Sequence, residues 1–342
     1  MRQLCTLPGL VCSGLALGVG LLFSEPVWAQ SAYPLSWGQN QEFYPVPTNA
    51  MSNVTAIAAG YHHNLALKSG RVWAWGDNSL DQTNVPVSAQ SGVTSIAGGG
   101  WFSLAIKTNG SVVAWGVGVV RTNVPASLTG GVTQVAGGEY HALAVKEGGV
   151  VAWGSNTYGQ CTVPSSLNSG VSQVAGGGYF SVALTTNGGV EVFGIEATNE
   201  YAYGIRDVPA AATSGVAAIA AGKWHALALK TDGTLIAWGA TNFYDGATNY
   251  LPDSVTGGVA AVAAGDVFSI ALKTNGSLIV WGDDTKGQQP VPIYASNSVS
   301  QIAAGEGHCL VVGSNLPVRF ISASVPLAYS NVVYTNGLVL AA

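Results

Sequence analysis

The side chains that could do chemistry here are five histidines and a thin scatter of carboxylates. His62 and His63 are adjacent, and Trp224-His225 sits in "AGKWHALALKTDGTLIAWG", residues 221–239. An imidazole beside an indole suits a general base next to a binding platform, or simply core packing. The carboxylates do not complete a catalytic set. Asp283 and Asp284 are neighbours, so on an extended strand their side chains point apart, and "DNSLD" (77–81) lacks the alternating oxygen ligands of a calcium loop. No nucleophile elbow, zinc-protease helix, phosphate loop or dinucleotide fingerprint is present. Asp245 and Asp266 suit hydrogen-bond acceptance in recognition better than acid–base work. The expectation is a non-enzyme with no cofactor and no bound metal.

What positions these residues is a repeat. Units begin at Val54 (VTAIAAGYHHNLALKSGRVWAWG), Val93, Val132, Val171, Val216, Val259 and Val299, between 39 and 45 residues apart. Each holds a short apolar run, a Gly-containing turn, a second run, a T-N-G-like turn and a third run ending in Trp-Gly. A Val-Pro or Leu-Pro follows, suited to an edge strand because proline lacks an N–H. Runs of five to seven residues bracketed by turn residues are strands. Four such strands per unit predict an all-β, seven-bladed β-propeller of four-stranded antiparallel blades; a solenoid of stacked units is the alternative. The unit from Val299 lacks its Trp-Gly half, and "LSWGQNQEFYPVP" (35–47) supplies one. The ring is thus expected to close by pairing an N-terminal half-blade with a C-terminal half-blade, which removes free edges.

Alignment on the Gly after the first run separates two columns. Three residues on stand His63, Phe102, His141, Phe180, His225, Phe268 and His308, an alternation expected of framework. A metal site would bring acidic partners, and no acidic column accompanies these histidines. One residue earlier stand His62, Trp101, Tyr140, Tyr179, Trp224, Val267 and Gly307. Large aromatics in a loop call for something to cover them. In an antiparallel meander the loop after the third strand shares that face, and it is longest in the fourth and fifth units ("IEATNEYAYGIRD" and "ATNFYDGATNY"). Tyr201, Tyr203, Phe243, Tyr244 and Asp245 therefore join His62, Trp101, Tyr140, Tyr179, Trp224 and Asp266 as expected partner-binding residues, with Phe43, Tyr158 and Tyr250 in corresponding loops. Lys68, Lys107, Lys146, Lys230 and Lys273 recur on the opposite face and read as solvation of the blade edge.

Composition bounds the partners. Charged residues make up 8% of 342, net charge is −5, and only 12 residues are Lys or Arg, so nucleic acid is not an expected partner. Residues 1–29 read as a signal peptide: Arg2, then "LPGLVCSGLALGVGLLF", then Val27 and Ala29 at a small-residue cleavage site. An uncleaved anchor is the alternative. The expected location is secreted, extracellular or periplasmic, with the cell surface as a further option. No later run is long enough to span a membrane. Cys161 and Cys309 remain beyond the leader and are expected to be unpaired. Residues 30–312 form the expected propeller, a monomer, and 313–342 an extension that alternates like strands.

The repeat V-x-x-[IV]-A-[AG]-G-x-x-[HF]-x-[LVI]-A-[LIV]-K…[DN]-G-x-[VL]-x-[AV]-W-G resembles the regulator of chromosome condensation repeat family, over residues 35–312. That resemblance implies a seven-bladed propeller. The compact units, their "SGV" and "VP" joints, the leader and the N-terminal Trp-Gly half-blade are most similar to the secreted bacterial β-lactamase-inhibitory propellers of that family. In those, the aromatic loop column contacts the target enzyme. The long acidic wedge of the nucleotide-exchange members is not found in this sequence. The expected function is non-catalytic protein binding, with a β-lactamase or similar extracellular enzyme as partner. A lectin-like propeller binding a glycan and a structural segment of a surface protein are the alternatives.

Overall fold

Each repeat folds as three antiparallel strands, because its apolar runs are too short for helices and a turn follows each one. The computed structural model describes residues 33–39, 46–50, 52–118, 123–195, 204–240, 251–255, 257–295, 298–313, 332–335 and 338–341. Blade one comprises Ala56–Ala59, His63–Lys68 and Arg71–Gly76; blade two Val93–Gly98, Phe102–Lys107 and Val112–Gly116; blade three Val132–Gly137, His141–Lys146 and Gly149–Gly154. Blade four comprises Val171–Gly176, Phe180–Thr185 and Val190–Gly194; blade five Val216–Ala221, His225–Lys230 and Leu235–Gly239; blade six Val259–Ala264, Phe268–Lys273 and Leu278–Gly282. Blade seven joins Val299–Ala304 and His308–Gly313 to the N-terminal strand Tyr33–Gly38, which pairs with register Tyr33↔Gly313 through Gly38↔His308. Consecutive first strands pack side by side, and that of blade seven packs on that of blade one. The seven-bladed ring is closed by chain ends meeting in one sheet, as the split repeat implied.

The blades have three strands, not the expected four. The Val-Pro or Leu-Pro segment is no edge strand. In each blade the proline carbonyl instead accepts an N–H three residues on, as in Ala89 N to Pro86 O at 2.9 Å and Ala212 N to Pro209 O at 2.8 Å, opening one 3₁₀ turn. Proline's fixed φ suits the start of such a turn, and its missing N–H would have been wasted in a ladder. The turn drops one small side chain into the core (Ala50, Ala89, Leu128, Leu167, Ala212, Val255 or Ala295), all fully buried. The recurrent lysines cap these turns rather than merely solvating an edge. Lys107 Nζ donates to Ser88 O at 2.6 Å, Lys146 Nζ to Ser127 O at 2.9 Å and Lys230 Nζ to Ala211 O at 2.8 Å.

The core lies between blades rather than within them. Second strands read large-small-large-small, and period 2 sends the two sets to opposite faces. Leu65 and Leu67 of blade one pack on Ala105 and Trp115 of blade two. Phe102, Leu104 and Ile106 of blade two pack on Ala142, Ala144 and Trp153 of blade three. Large side chains of one blade thus meet alanines of the next at six of the seven seams, and at the seam between blades six and seven Phe268, Ile270 and Leu272 meet Cys309 and Val311 instead.

Cys161 and Cys309 form no disulfide; burial raises the Cys161 thiol to about 11 and pushes Cys309 up as well, so both are protonated near neutrality. Residues 1–29, the expected signal peptide, lie outside the described residues. Within the C-terminal extension Val332–Thr335 pairs antiparallel with Leu338–Ala341. No helix among the described residues is long and apolar enough to cross a membrane.

Candidate functional site

The site is built around a collar of seven glycines: Gly60, Gly99, Gly138, Gly177, Gly222, Gly265 and Gly305. These line a central cavity of about 60 Å³. Their requirement is for space, not for unusual backbone. A Cβ on Gly222 would lie 2.3 Å from Gly265 O and 2.5 Å from the His225 ring. The ring three residues on therefore fills the room a side chain would take.

That ring layer is the His/Phe column. His63, Phe102, His141, Phe180, His225, Phe268 and His308 are all at most 2% exposed. Each histidine Nε2 bonds the next blade: His63 to Ser103 at 2.9 Å, His141 to Ser181 at 2.9 Å, His225 to Ser269 at 2.8 Å. Ser103 gives its own proton to Gln82 O, so the imidazole N–H must donate to the serine. The sequence pairs accordingly, since Phe blades continue Phe-Ser. Seven is odd, however, so strict alternation fails at closure, where His308 of blade seven meets His63 of blade one. There Asn64 Oδ1 accepts from His308 Nε2 at 2.9 Å, at the position where other histidine blades carry Ala142, Ala226 or Cys309. Burial holds His63 down to about 3, and His141, His225 and His308 down to about 4, so these imidazoles are neutral.

The aromatic column lies one residue earlier, at the mouth. In every blade its carbonyl accepts the N–H that follows the third strand: Asp77 N to His62 O at 2.9 Å, Ser155 N to Tyr140 O at 2.9 Å, Ala240 N to Trp224 O at 2.9 Å. The loops after strands one and three thus share a face and are clamped together. The Gly that ends each third strand, after Trp or, in blade four, after Phe193, makes this possible; Gly239 has φ +90°, and a Cβ there would lie 2.6 Å from Trp224 O.

The rings form two touching runs. Tyr61 lies 5.4 Å from Trp101, which lies 5.2 Å from Tyr140; Tyr158 lies 4.7 Å from Tyr179, which lies 5.3 Å from Trp224. Tyr140 is 41% exposed, whereas Trp101, Tyr179 and Trp224 are half-buried against their neighbours. His62 is paired with Glu306 at 2.9 Å. That hydrogen bond raises the His62 value against the effect of burial, and it lowers that of Glu306. Asp266 is half-buried, with Oδ1 lacking a hydrogen-bond partner among the described residues. Tyr201, Tyr203, Phe243, Tyr244 and Asp245, with Phe43 and Tyr250, lie outside the described residues.

Sequence reasoning singled out only Asp266 from the column next to the collar. At the equivalent positions Tyr61, Glu139 and Lys223 line the cavity, and Glu306, like Asp266, follows a glycine that lines it. Glu139 is 4% exposed, and Lys223 Nζ lies 3.6 Å from its Oε1. Burial first, then Glu139, Asp266 and Glu306, pushes the Tyr61 phenol far up. The overlooked signal was position: the residue after the collar glycine lines or borders the cavity. It also carries a ring of backbone bonds from blade to blade, including Gly100 N to Gly138 O at 3.0 Å, Asp266 N to Glu306 O at 3.1 Å and, across the closure, Glu306 N to Tyr61 O at 3.1 Å.

Asp283 and Asp284 lie in the turn after a strand, not on it; Asp283 accepts from Thr285 and Asp284 from Gln289, which fixes the loop. No group of three His, Cys, Asp or Glu able to hold a metal occurs among the described residues.

Comparison with known proteins agrees with this geometry. Four stretches, 54–82, 132–160, 216–245 and 259–288, match the regulator of chromosome condensation (RCC1) repeat. Curated protein sequences contain no match. Among solved structures, Prp20p from Saccharomyces cerevisiae is 19% identical with a TM-score of 0.63, covering 84% of this chain and 93% of its own. Human WBSCR16 is 16% identical with a TM-score of 0.63, covering 83% and 99%. The CRINKLY WD40 ectodomain of the Arabidopsis thaliana receptor kinase ACR4 is 20% identical with a TM-score of 0.56, covering 74% and 90%. At such identities the likeness speaks for the fold alone. Four stretches of this chain thus resemble the RCC1 repeat, and its described residues fold as a seven-bladed propeller like those structures.

Proposed function

We propose that this chain is an exported, non-catalytic propeller that binds a folded protein through its loop-bearing face, with an extracellular enzyme of the β-lactamase kind as target. The observation that carries this reading is the pair of touching aromatic runs over blades one to five, clamped at the backbone. Tyr and Trp bury much area with few rotors, and a clamped backbone loses little freedom on docking. A glycan-binding ring would offer one separate pocket per blade, whereas these rings lean on one another. Prp20p, of the same fold, has binding properties toward Gsp1p and histones, which makes a protein partner a natural use of this scaffold.

The test is binding and inhibition of class A β-lactamases, beside a glycan array, with wild type and Trp224→Ala. The expected result is inhibition that falls roughly thirtyfold in the variant, the equivalent of about 2 kcal/mol. Glycan binding without enzyme binding overturns the reading.

A further inference from the structure

Five of the positions after the collar glycine bear functional side chains: Tyr61, Glu139, Lys223, Asp266 and Glu306. Their charges do not balance. Glu306 is paired with His62 at 2.9 Å, and Lys223 faces Glu139 at 3.6 Å, so among the described residues Asp266 has only a share in Lys223 as counter-ion. Three atoms here have no hydrogen-bond partner among the described residues: Glu139 Oε2, Asp266 Oδ1 and Tyr61 Oη. Glu139 is 4% exposed and lines the cavity, so its free oxygen points where water is scarce. An unsatisfied buried carboxylate oxygen is costly, and a cationic donor would relieve it.

The walls suit the same ligand. Lys223 Nζ already lies 5.7 Å from the Tyr61 ring centre and 5.6 Å from that of Trp224, so an internal cation shows the rings can receive one. We propose that the cavity mouth is a receptor for one arginine side chain, whose guanidinium enters between the aromatic rings and donates to Glu139 and Asp266. Arginine fits better than lysine because the free acceptors come from different blades. A planar fork with five donors reaches several acceptors and stacks on rings, whereas an ammonium is a point charge. Supply of that arginine by a partner protein rests on the preceding reading; the site itself does not. Burial, with Glu306 and Glu139 and against Lys223, holds Asp266 up to about 6, as expected of a carboxylate short of positive charge.

The test is a titration of the full chain with N-acetyl-arginine methylamide, followed by the NMR shifts of the Trp101 and Trp224 indole N–H groups. Saturable shifts are expected, with N-acetyl-lysine methylamide weaker and the norleucine analogue inert. Glu139→Gln and Asp266→Asn should each weaken binding by about tenfold or more. Affinity should also fall as pH drops through about 6, where Asp266 takes up a proton amid Lys223, Glu306, Glu139, Asp283, Tyr61 and Tyr179. Equal shifts from arginine and norleucine overturn the proposal, as does undiminished binding in both variants. The backbone amide spectrum checks the fold; should Glu139→Gln unfold, Asp266→Asn decides alone. Arginine binding without β-lactamase binding defeats only the named target, and the reverse defeats only this site.

Discussion

Two layers of the ring lie one residue apart in every blade and obey opposite rules. The lower layer, His63 through His308, is buried, alternates His with Phe and bonds blade to blade. The upper layer runs His62, Trp101, Tyr140, Tyr179, Trp224, Val267, Gly307 with no period. Its backbone is as uniform as the lower layer's, since every carbonyl takes the same clamp. Its side chains are not uniform, because they lean on one another at the mouth instead of filling a fixed slot in the next sheet. Regularity therefore marks where blades pack on one another, and irregularity marks where something else could.

The largest effect expected from this contrast is acid unfolding. The four lower-layer imidazoles must stay neutral in the fold, with values of about 3 to 4, while the unfolded chain protonates below 6.5. Stability is then full above 6.5 and lost as pH falls toward 4. The loss is on the order of 3 kcal/mol per histidine, together comparable to the whole stability of a typical domain. Denaturant melts across that window check it; a flat profile breaks the assignment of neutral rings. Next comes Gly222→Ala, whose Cβ meets Gly265 O at 2.3 Å. It should cost about 3 kcal/mol or more, read as a shifted denaturation midpoint.

Asn64→Ala should cost less, about 1 to 3 kcal/mol, by leaving the His308 N–H without its acceptor across the closure. The same change would be silent if the odd-numbered junction needed no special residue. Smallest is Trp224→Ala, expected to alter stability by about 1 kcal/mol or less while abolishing most partner binding. His225→Phe should do the reverse. Equal damage to binding from both, with the fold intact, would merge the two layers into one.

The repeat alone carried strands, blade number and the half-blade closure, because each is a matter of period and count. It misled at the Val-Pro segment. Proline is compatible both with an edge strand and with a 3₁₀ turn, and only the carbonyl that receives the downstream N–H distinguishes them. The lysines suffered likewise: their carbonyl partners lie 19 residues back, a separation that no local pattern signals. The His/Phe alternation was plain, yet its physical basis was hidden. The serine that His63, His141 and His225 each bond is in the next blade, 40 or 44 residues on.

What the sequence determined by itself is everything set by local sterics and repetition: short strands, glycines beside bulky rings, and seven units with one split between the termini. What only the tertiary structure decided is convergence. Tyr61, Glu139, Lys223, Asp266 and Glu306 stand in five different blades, and along the chain they look like an irregular column of no shared purpose. Ring closure turns that column inward around one cavity, where burial raises Asp266 and leaves a Glu139 oxygen unpartnered. Charge neutralisation depends on distance through space, and a chain read residue by residue contains no such distances until the last blade meets the first.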